Sequence, residues 1–292
     1  MNLEHNMKIL ITGHKGFVGK YFMRKYSNHD VIGIDIKDGN DCRDYFKQSD
    51  DKFDLVIHLA AIVGGRQTID NNPLSVATDL SIDSEMCQWA LRTKPSRIIY
   101  FSSSAAYPTK LQTEKYQLKE SDIDLNDVSN PDMTYGWAKL TGEFLLQFLG
   151  TEGIKTNVFR PFSGYGTDQD LDYPFPSYIK RSNNLADPFD IWGDGNQVRD
   201  FIHIQDIVDA VDTAIREDVD FPVNLGSGIA TSFNELFTMV TSLKGYSAKP
   251  NHIQSAPVGV QYRVCDPSKM LSFYTPKISL EEGIIRALGG TI

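Results

Sequence analysis

The sequence predicts an α/β protein: a doubly wound parallel sheet with helices on both faces and a smaller lobe towards the C-terminus. Three observations carry this expectation. Strand-like and helix-like segments alternate along most of the 292 residues, the pattern of a parallel sheet with crossover helices. Several strand-like segments, among them Leu55-Val56-Ile57 and Ile98-Ile99-Tyr100-Phe101, are continuous apolar runs, as required when both sheet faces are covered. The first of them, Lys8-Ile9-Leu10-Ile11, runs straight into a glycine turn, Gly13-His14-Lys15-Gly16-Phe17-Val18-Gly19, that opens a helix.

Strands are expected over 8–12, 31–35, 54–60, 97–103, 156–160, 200–204 and 222–226. Helices are expected over 17–26, 75–93, 135–150, 205–217 and 232–243. In the first helix, Val18, Phe22, Met23 and Tyr26 recur at helical spacing. Two stretches break the rhythm. Residues 108–134 are polar, and 163–197 carry Pro174, Pro176 and Pro188. Long irregular segments in a compact domain are often functional loops, though 108–120 also suits a plain surface loop. Residues 245–292 read as a small mixed lobe.

Strand, glycine turn and helix in this order make a site for a dinucleotide pyrophosphate. Gly13 permits the tight turn, Gly16 lets backbone approach the phosphates, and Gly19 allows close helix–strand packing. The helix N-terminus offers free N–H groups and a positive dipole end. The second apolar run, Val31-Ile32-Gly33-Ile34, ends in Asp35, an acid able to accept hydrogen bonds from ribose hydroxyls. The expected division is therefore a Rossmann-type NAD-binding unit over 1–162 plus about 198–230, and a substrate-binding lobe over 163–197 and 231–292.

Composition excludes other classes. Hydrophobic residues make up 41% and charged residues 23%, ordinary for a globular chain. A net charge of −9 argues against nucleic acid or an anionic membrane as partner. No apolar run is long enough to span a bilayer. Residues 1–6, Met1 to Asn6, read as a polar tail without a signal pattern, with Met7 an alternative start. Cys42, Cys87 and Cys265 are few, odd in number and far apart. That suits a reducing cytoplasm, buried thiols and no metal site.

A second pattern carries chemistry. Tyr135 and Lys139 stand four apart on an expected helix, so phenol and ammonium share a face. A nearby cation is expected to lower the phenol pKa and make a usable acid/base. The same spacing at Tyr21 and Lys25 reads as an ordinary helix face. Tyr135 is selected by Ser102-Ser103-Ser104, which follow an apolar strand. Their strand end should lie at the same sheet edge as the glycine turn, where a serine hydroxyl can steady the reacting oxygen. Ser103 is preferred over Ser104, with strand-end capping as the plain alternative.

At this point the chain resembles the extended short-chain dehydrogenase/reductases of the nucleotide-sugar epimerase/dehydratase family. The matching residues are the turn from Thr12 to Gly19, Asp35, His58-Leu59-Ala60-Ala61, the serine run with Tyr107-Pro108, and Tyr135 with Lys139. Arg160-Pro161, Trp192-Gly193-Asp194-Gly195, Arg199-Asp200-Phe201-Ile202-His203 and Asn224-Leu225-Gly226-Ser227-Gly228 follow in the family's order. The resemblance implies NAD as cofactor and a nucleotide sugar as substrate. It assigns cofactor contacts to Gly13, Gly16, Phe17, Val18, Gly19, Asp35, Ile36, Asp41 and Cys42. It assigns others to Leu59, Ala60, Ala61, Val63, Ser102, Tyr135, Lys139, Pro161 and Ser163. Substrate contacts fall to Gly65, Ser104, Ala105, Arg199 and Arg263, the two arginines on the diphosphate. Tyr135 would remove a sugar hydroxyl proton, Ser103 would polarise that oxygen, and Lys139 would tune Tyr135 and anchor the nicotinamide ribose.

Local flavour is that of the GDP-L-fucose synthases and GDP-mannose 3,5-epimerases, through Ala61-Ile62-Val63-Gly64-Gly65 and Ser103-Ser104-Ala105-Ala106-Tyr107-Pro108. Three departures matter. Ala105 stands where 3,5-epimerases have Cys, and near Pro176 the second acid/base is replaced by Tyr173 and Pro174. No carboxylate follows Ser104, which disfavours dehydration. Ser163 replaces a usual Asn, and the Asn usual in the helix after Pro73 becomes Asp79 or Leu80. Redox at C4 remains. The expected activity is NAD-dependent C4 epimerisation through a 4-keto intermediate. The alternatives are an NAD(P)H-dependent keto-sugar reductase and a non-catalytic NAD-binding scaffold. Asp35 favours NAD, while Lys15 and Lys37 keep NADP open. A homodimer is expected through helices 75–93 and 135–150, where Met86, Trp89, Ala90, Leu140, Phe144 and Phe148 serve either a seam or the core.

Overall fold

The computed structural model describes residues 6–290, so the expected polar tail lies, Asn6 apart, outside the described residues. Among the described residues, thirteen strands run in chain order: β1 (Lys8–Thr12), β2 (Asp30–Ile34), β3 (Leu55–His58), β4 (Arg97–Phe101), β5 (Gln117–Leu118), β6 (Lys155–Pro161), β7 (Ser163–Tyr165), β8 (Phe189–Trp192), β9 (Val198–His203), β10 (Val223–Leu225), β11 (Ala230–Ser232), β12 (Pro250–Ile253) and β13 (Tyr262–Cys265). The α-helices are α1 (Phe17–Lys25), α2 (Cys42–Gln48), α3 (Arg66–Asn71), α4 (Val76–Thr93), α5 (Met133–Thr151), α6 (Pro174–Asn183), α7 (Ile204–Arg216), α8 (Phe233–Lys244), α9 (Ser268–Leu271) and α10 (Leu280–Ala287).

Six strands form one sheet in the order β10-β6-β4-β3-β1-β2, all neighbours parallel. Side chains alternate between its faces. Ile9, Ile11, Leu55, Ile57, Ile99, Phe101 and Phe159 pack with Phe22 of α1 and Ile207, Val208 and Val211 of α7. Leu10, Val56, Ile98 and Tyr100 pack on the other face with Phe46 of α2, Met86 and Trp89 of α4, and Leu146 and Leu149 of α5. Both faces are covered, which is why these strands carry no polar alternation. The chain reverses direction across the sheet between β1 and β3, and the C-terminal ends there open the crevice where such folds bind ligands.

The sequence expected 200–204 as a strand of this sheet. The structure corrects that: β9 lies in a five-stranded sheet of order β11-β9-β13-β5, with β7 also on β9. β9 is parallel to β7 and β13 and antiparallel to β11. The run 108–120 is no plain loop, since β5 within it pairs with β13. β8 and β12 make a separate parallel pair. Tyr165, Phe175, Tyr178, Phe189, Phe201, Phe233 and Leu236 fill the core under α6 and α8.

Candidate active site

The glycine turn closes as its residue types demand. Gly13 takes φ +71°, a left-handed backbone, and a Cβ there would lie 3.0 Å from Ala60 N on the neighbouring strand end. A Cβ at Gly19 would lie 2.3 Å from the Gly13 carbonyl oxygen, so α1 can sit this close only with glycine. α1 has no side-chain cap at Gly16 and no acid in its first turn. Its first N–H groups and dipole end are therefore available to an anion. Close by, the Ser102 Oγ is buried without a hydrogen-bond partner. These features fit a dinucleotide pyrophosphate.

They line a cleft of about 930 Å³ that also takes in Phe17, Val18, Leu59, Ala61, Val63, Pro161 and Ser163. Ser103, Tyr135 and Lys139 line it, as do Gly65, Ser104, Ala105, Arg199 and Arg263. Five expected cofactor residues stand back from it. Ala60 donates its N–H to Thr12 Oγ1. Asp35 accepts from Lys15 N and Lys37 N, both at 2.8 Å, while Lys15 and Lys37 themselves edge the cleft. Ile36 is exposed beyond it, and Asp41 caps α2 while pairing with Arg43. Cys42 is packed in the core, and burial pushes its thiol up to about 12.

Each Asp35 oxygen keeps a second lone pair, so the carboxylate can still accept from a ribose hydroxyl. Asp35→Ala should weaken NAD binding by about tenfold and NADP binding less. Calorimetric titration with both dinucleotides checks this; an unchanged ratio would mean Asp35 never meets the ribose.

Tyr135 stands in the first turn of α5 and Lys139 one turn on. The turn carrying Ser103 is held against that helix by backbone. Asp132 N donates to the Ala105 carbonyl at 2.9 Å, and a Cβ at Gly136 would lie 2.3 Å from the same oxygen. Ser103 Oγ accepts from Ala105 N at 3.0 Å, which orients it. Met133, between Asp132 and Tyr135, is non-glycine at φ +60°, a local strain of the kind found at working sites. The Lys139 Nζ lies 5.6 Å from the Tyr135 ring centroid and 5.0 Å from that of Tyr100.

The sequence expected Lys139 to lower the Tyr135 pKa, and here the structure differs. Burial raises it, and the carboxylates of Asp79 and Asp83 raise it further. Both acids project from α4, which packs along α5. Asp83 belongs to a buried polar chain under the site. Thr12 Oγ1 meets His58 Nδ1 at 2.9 Å, His58 Nε2 meets Asp83 Oδ1 at 3.1 Å, and the Tyr100 hydroxyl donates to Asp83 Oδ2 at 2.6 Å.

At the N-terminus of α5, beside the serine turn, three guanidiniums stand near Asp132, and Arg66 also pairs with Asp70 at 3.0 Å. Asp132 accepts from Arg66 at 3.0 Å and from Arg263, and Arg263 also donates to Gln112. Burial would raise Asp132, but Arg263 and Arg66 hold it below the usual carboxylate range. Among the described residues, no carboxylate is a hydrogen-bond partner of Arg199. It donates to the carbonyls of Val198, Val260 and Val258 and stacks on Phe233. Burial and then the charge of Arg263 press it down to about 9. Such an excess of cation is what a diphosphate would relieve. Arg66, Asp132 and Asp83 escaped the sequence reading, because no periodicity marks them. Only the position of Arg66 directly after Gly64-Gly65 hinted at a site.

Residues 9–226 match the model of the NAD dependent epimerase/dehydratase family. The chain belongs to that family, whose cofactor is NAD. It is 30% identical to GDP-mannose 3,5-epimerase of Arabidopsis thaliana, over 96% of this chain and 81% of that protein. It is 25% identical to GDP-L-fucose synthase 1 of the same plant, over 96% and 92%. Among solved structures, UDP-glucuronic acid 4-epimerase from Bacillus cereus, in complex with UDP-glucuronic acid and NAD, superposes with TM-score 0.81 at 26% identity, covering 97% of this chain and 98% of that one.

Proposed function

We propose that this protein epimerises a nucleotide-activated sugar at C4, through a 4-keto intermediate, with NAD. The observation that carries the reading is one cleft joining two chemistries. Ser103, Tyr135 and Lys139 stand at its reacting end, and Arg199, Arg263 and Arg66 supply excess positive charge for a diphosphate. NAD, when bound, supplies the hydride acceptor. The glycine turn and α1 hold its phosphates, and Asp35 its ribose. The Tyr135 phenolate accepts the proton of the C4 hydroxyl, and Ser103 Oγ fixes that oxygen by a hydrogen bond. Lys139 places its Nζ beside that phenolate, 5.6 Å from the ring centroid.

Ala105 supports the restriction to C4, since a methyl group moves no proton at C3 or C5. Tyr173 also lines the cleft, and burial raises its phenol as it raises that of Tyr135. The free, buried Cys42, Cys87 and Cys265 support a cytoplasmic setting. We propose in addition a homodimer through α4 and α5. Of the residues left open by the sequence, Met86, Trp89, Ala90 and Leu140 are buried in the chain itself. Phe144 and Phe148 are exposed, beside Trp137, Leu80 and Leu91, and these suit a seam.

The test is incubation of the purified protein with UDP-, GDP- and dTDP-sugars without reduced cofactor, followed by proton NMR of the sugar. C4 epimer with no net nicotinamide reduction is expected. Product only from a keto-sugar with added NAD(P)H would replace the proposal with a reductase. NAD binding with no product from either would leave a scaffold.

A further inference from the structure

Asp79 is a departure with consequences. The sequence left Asp79 and Leu80 as alternatives for the place where the family often carries Asn. The structure decides between them: Leu80 faces outward at 37% exposure, and Asp79 is buried at 3%. Its Oδ1 accepts the Ile62 N–H at 2.6 Å, a short, charge-assisted bond. Ile62 lies midway in the strip 59–65, which follows β3 and supplies Leu59, Ala61, Val63 and Gly65 to the cleft. One carboxylate thus ties the cofactor-side strip to α4, at the level where α5 presents Tyr135 and Lys139.

Resting on the reading of Tyr135 as the proton-transfer group, we infer that Asp79 is a positioning residue: it fixes the 59–65 strip, and its charge governs proton affinity at the reacting end of the cleft. An Asn could do the first and not the second. The groups around Asp79 support this. From α5 come Lys139 and Tyr135, and from its own helix Asp83, one turn on. Through Asp83 the site touches Tyr100 of β4 and His58 of β3. α2 meets α4 near Trp89, at the far end.

Burial raises the Asp79 carboxyl to about 6, with Asp83 adding to the rise and the Ile62 N–H and Lys139 opposing it. The sign follows. Above that pH Asp79 is charged and pushes the Tyr135 phenol up; below it the carboxyl is neutral and that push is gone.

The decisive measurement is carbon NMR on protein labelled at the tyrosine ring, with NAD bound and no sugar. The Tyr135 resonance is assigned by its loss in Tyr135→Phe. In the wild-type protein it should inflect near pH 6; in Asp79→Asn the inflection should vanish while NAD still binds. In Asp79→Ala, which also loses the acceptor for Ile62, NAD should bind about tenfold more weakly than in Asp79→Asn. An inflection that survives Asp79→Asn would assign the charge to another group and overturn the inference. So would a wild-type ring with no inflection, a result that stands even where Asp79→Asn does not fold. Equal NAD affinity in the Ala and Asn variants would overturn the strip's dependence on Asp79. None of these readings needs turnover, so failure of the proposed epimerase activity is seen separately.

Discussion

Tyr135→Phe should lower kcat by about 10³-fold, within the usual range for removing a general acid/base, while NAD stays bound. Only the hydroxyl is lost. The ring keeps its place against Lys139, whose Nζ lies 5.6 Å from its centroid. Gly136 still docks on the Ala105 carbonyl, so Ser103 and the cofactor groove are undisturbed. Wild-type turnover should also rise with pH, because burial and the carboxylates of Asp79 and Asp83 hold the phenol protonated in the ordinary range. The phenolate is the form that accepts a proton, so its fraction grows as pH climbs. In the Phe variant that climb should disappear. Single-turnover rates across pH, with NAD binding measured in parallel, check both statements. Turnover kept at the wild-type level would mean that the proton leaves by another group.

Glu143→Ala should destabilise the fold by about 3–5 kcal/mol, the usual cost of stranding a buried charge. The Arg160 and Glu143 side chains are 3% and 2% exposed. They pair through two bonds, at 3.0 and 2.7 Å. Arg160 also donates to the Tyr107 hydroxyl and the Glu120 carbonyl. Tyr107 in turn donates to Asn224 Oδ1. Removing the carboxylate leaves a guanidinium in the interior with half its partners. Replacing both residues, as Arg160→Met with Glu143→Leu, should cost much less, because no charge is then buried. Chemical denaturation of Glu143→Leu, Arg160→Met and their double closes this cycle. A Glu143→Ala loss under about 1 kcal/mol would show that water reaches the site and solvates Arg160.

The central sheet was legible because its physics is local. Strands covered on both faces must be apolar at every position, and Leu55–Ile57 and Ile98–Phe101 announce this without context. β9 was assigned to the wrong sheet for the same reason. Phe201 and Ile202 are buried, and a buried run looks alike in either sheet. α6 was missed because Pro174 and Pro176 mark its first turn, and proline there reads as a loop until the helix start is seen. The glycine turn and the Tyr135–Lys139 spacing survive in sequence because chain geometry sets them. The electrostatics do not. Lys139 was visible as a neighbour in the chain, but Asp79 and Asp83 come from another helix. Arg66 and Arg263 meet only through Asp132, 66 and 131 residues away from each.

The backbone contact at Ala105 has a wider meaning. Its carbonyl, not its side chain, sets how near the serine turn lies to the tyrosine helix. Ala105 also lines the cleft. The side chain displayed at that one position can therefore change without moving the backbone contact. The spacing between the serine turn and the tyrosine helix stays in register throughout, because it is set by main chain alone.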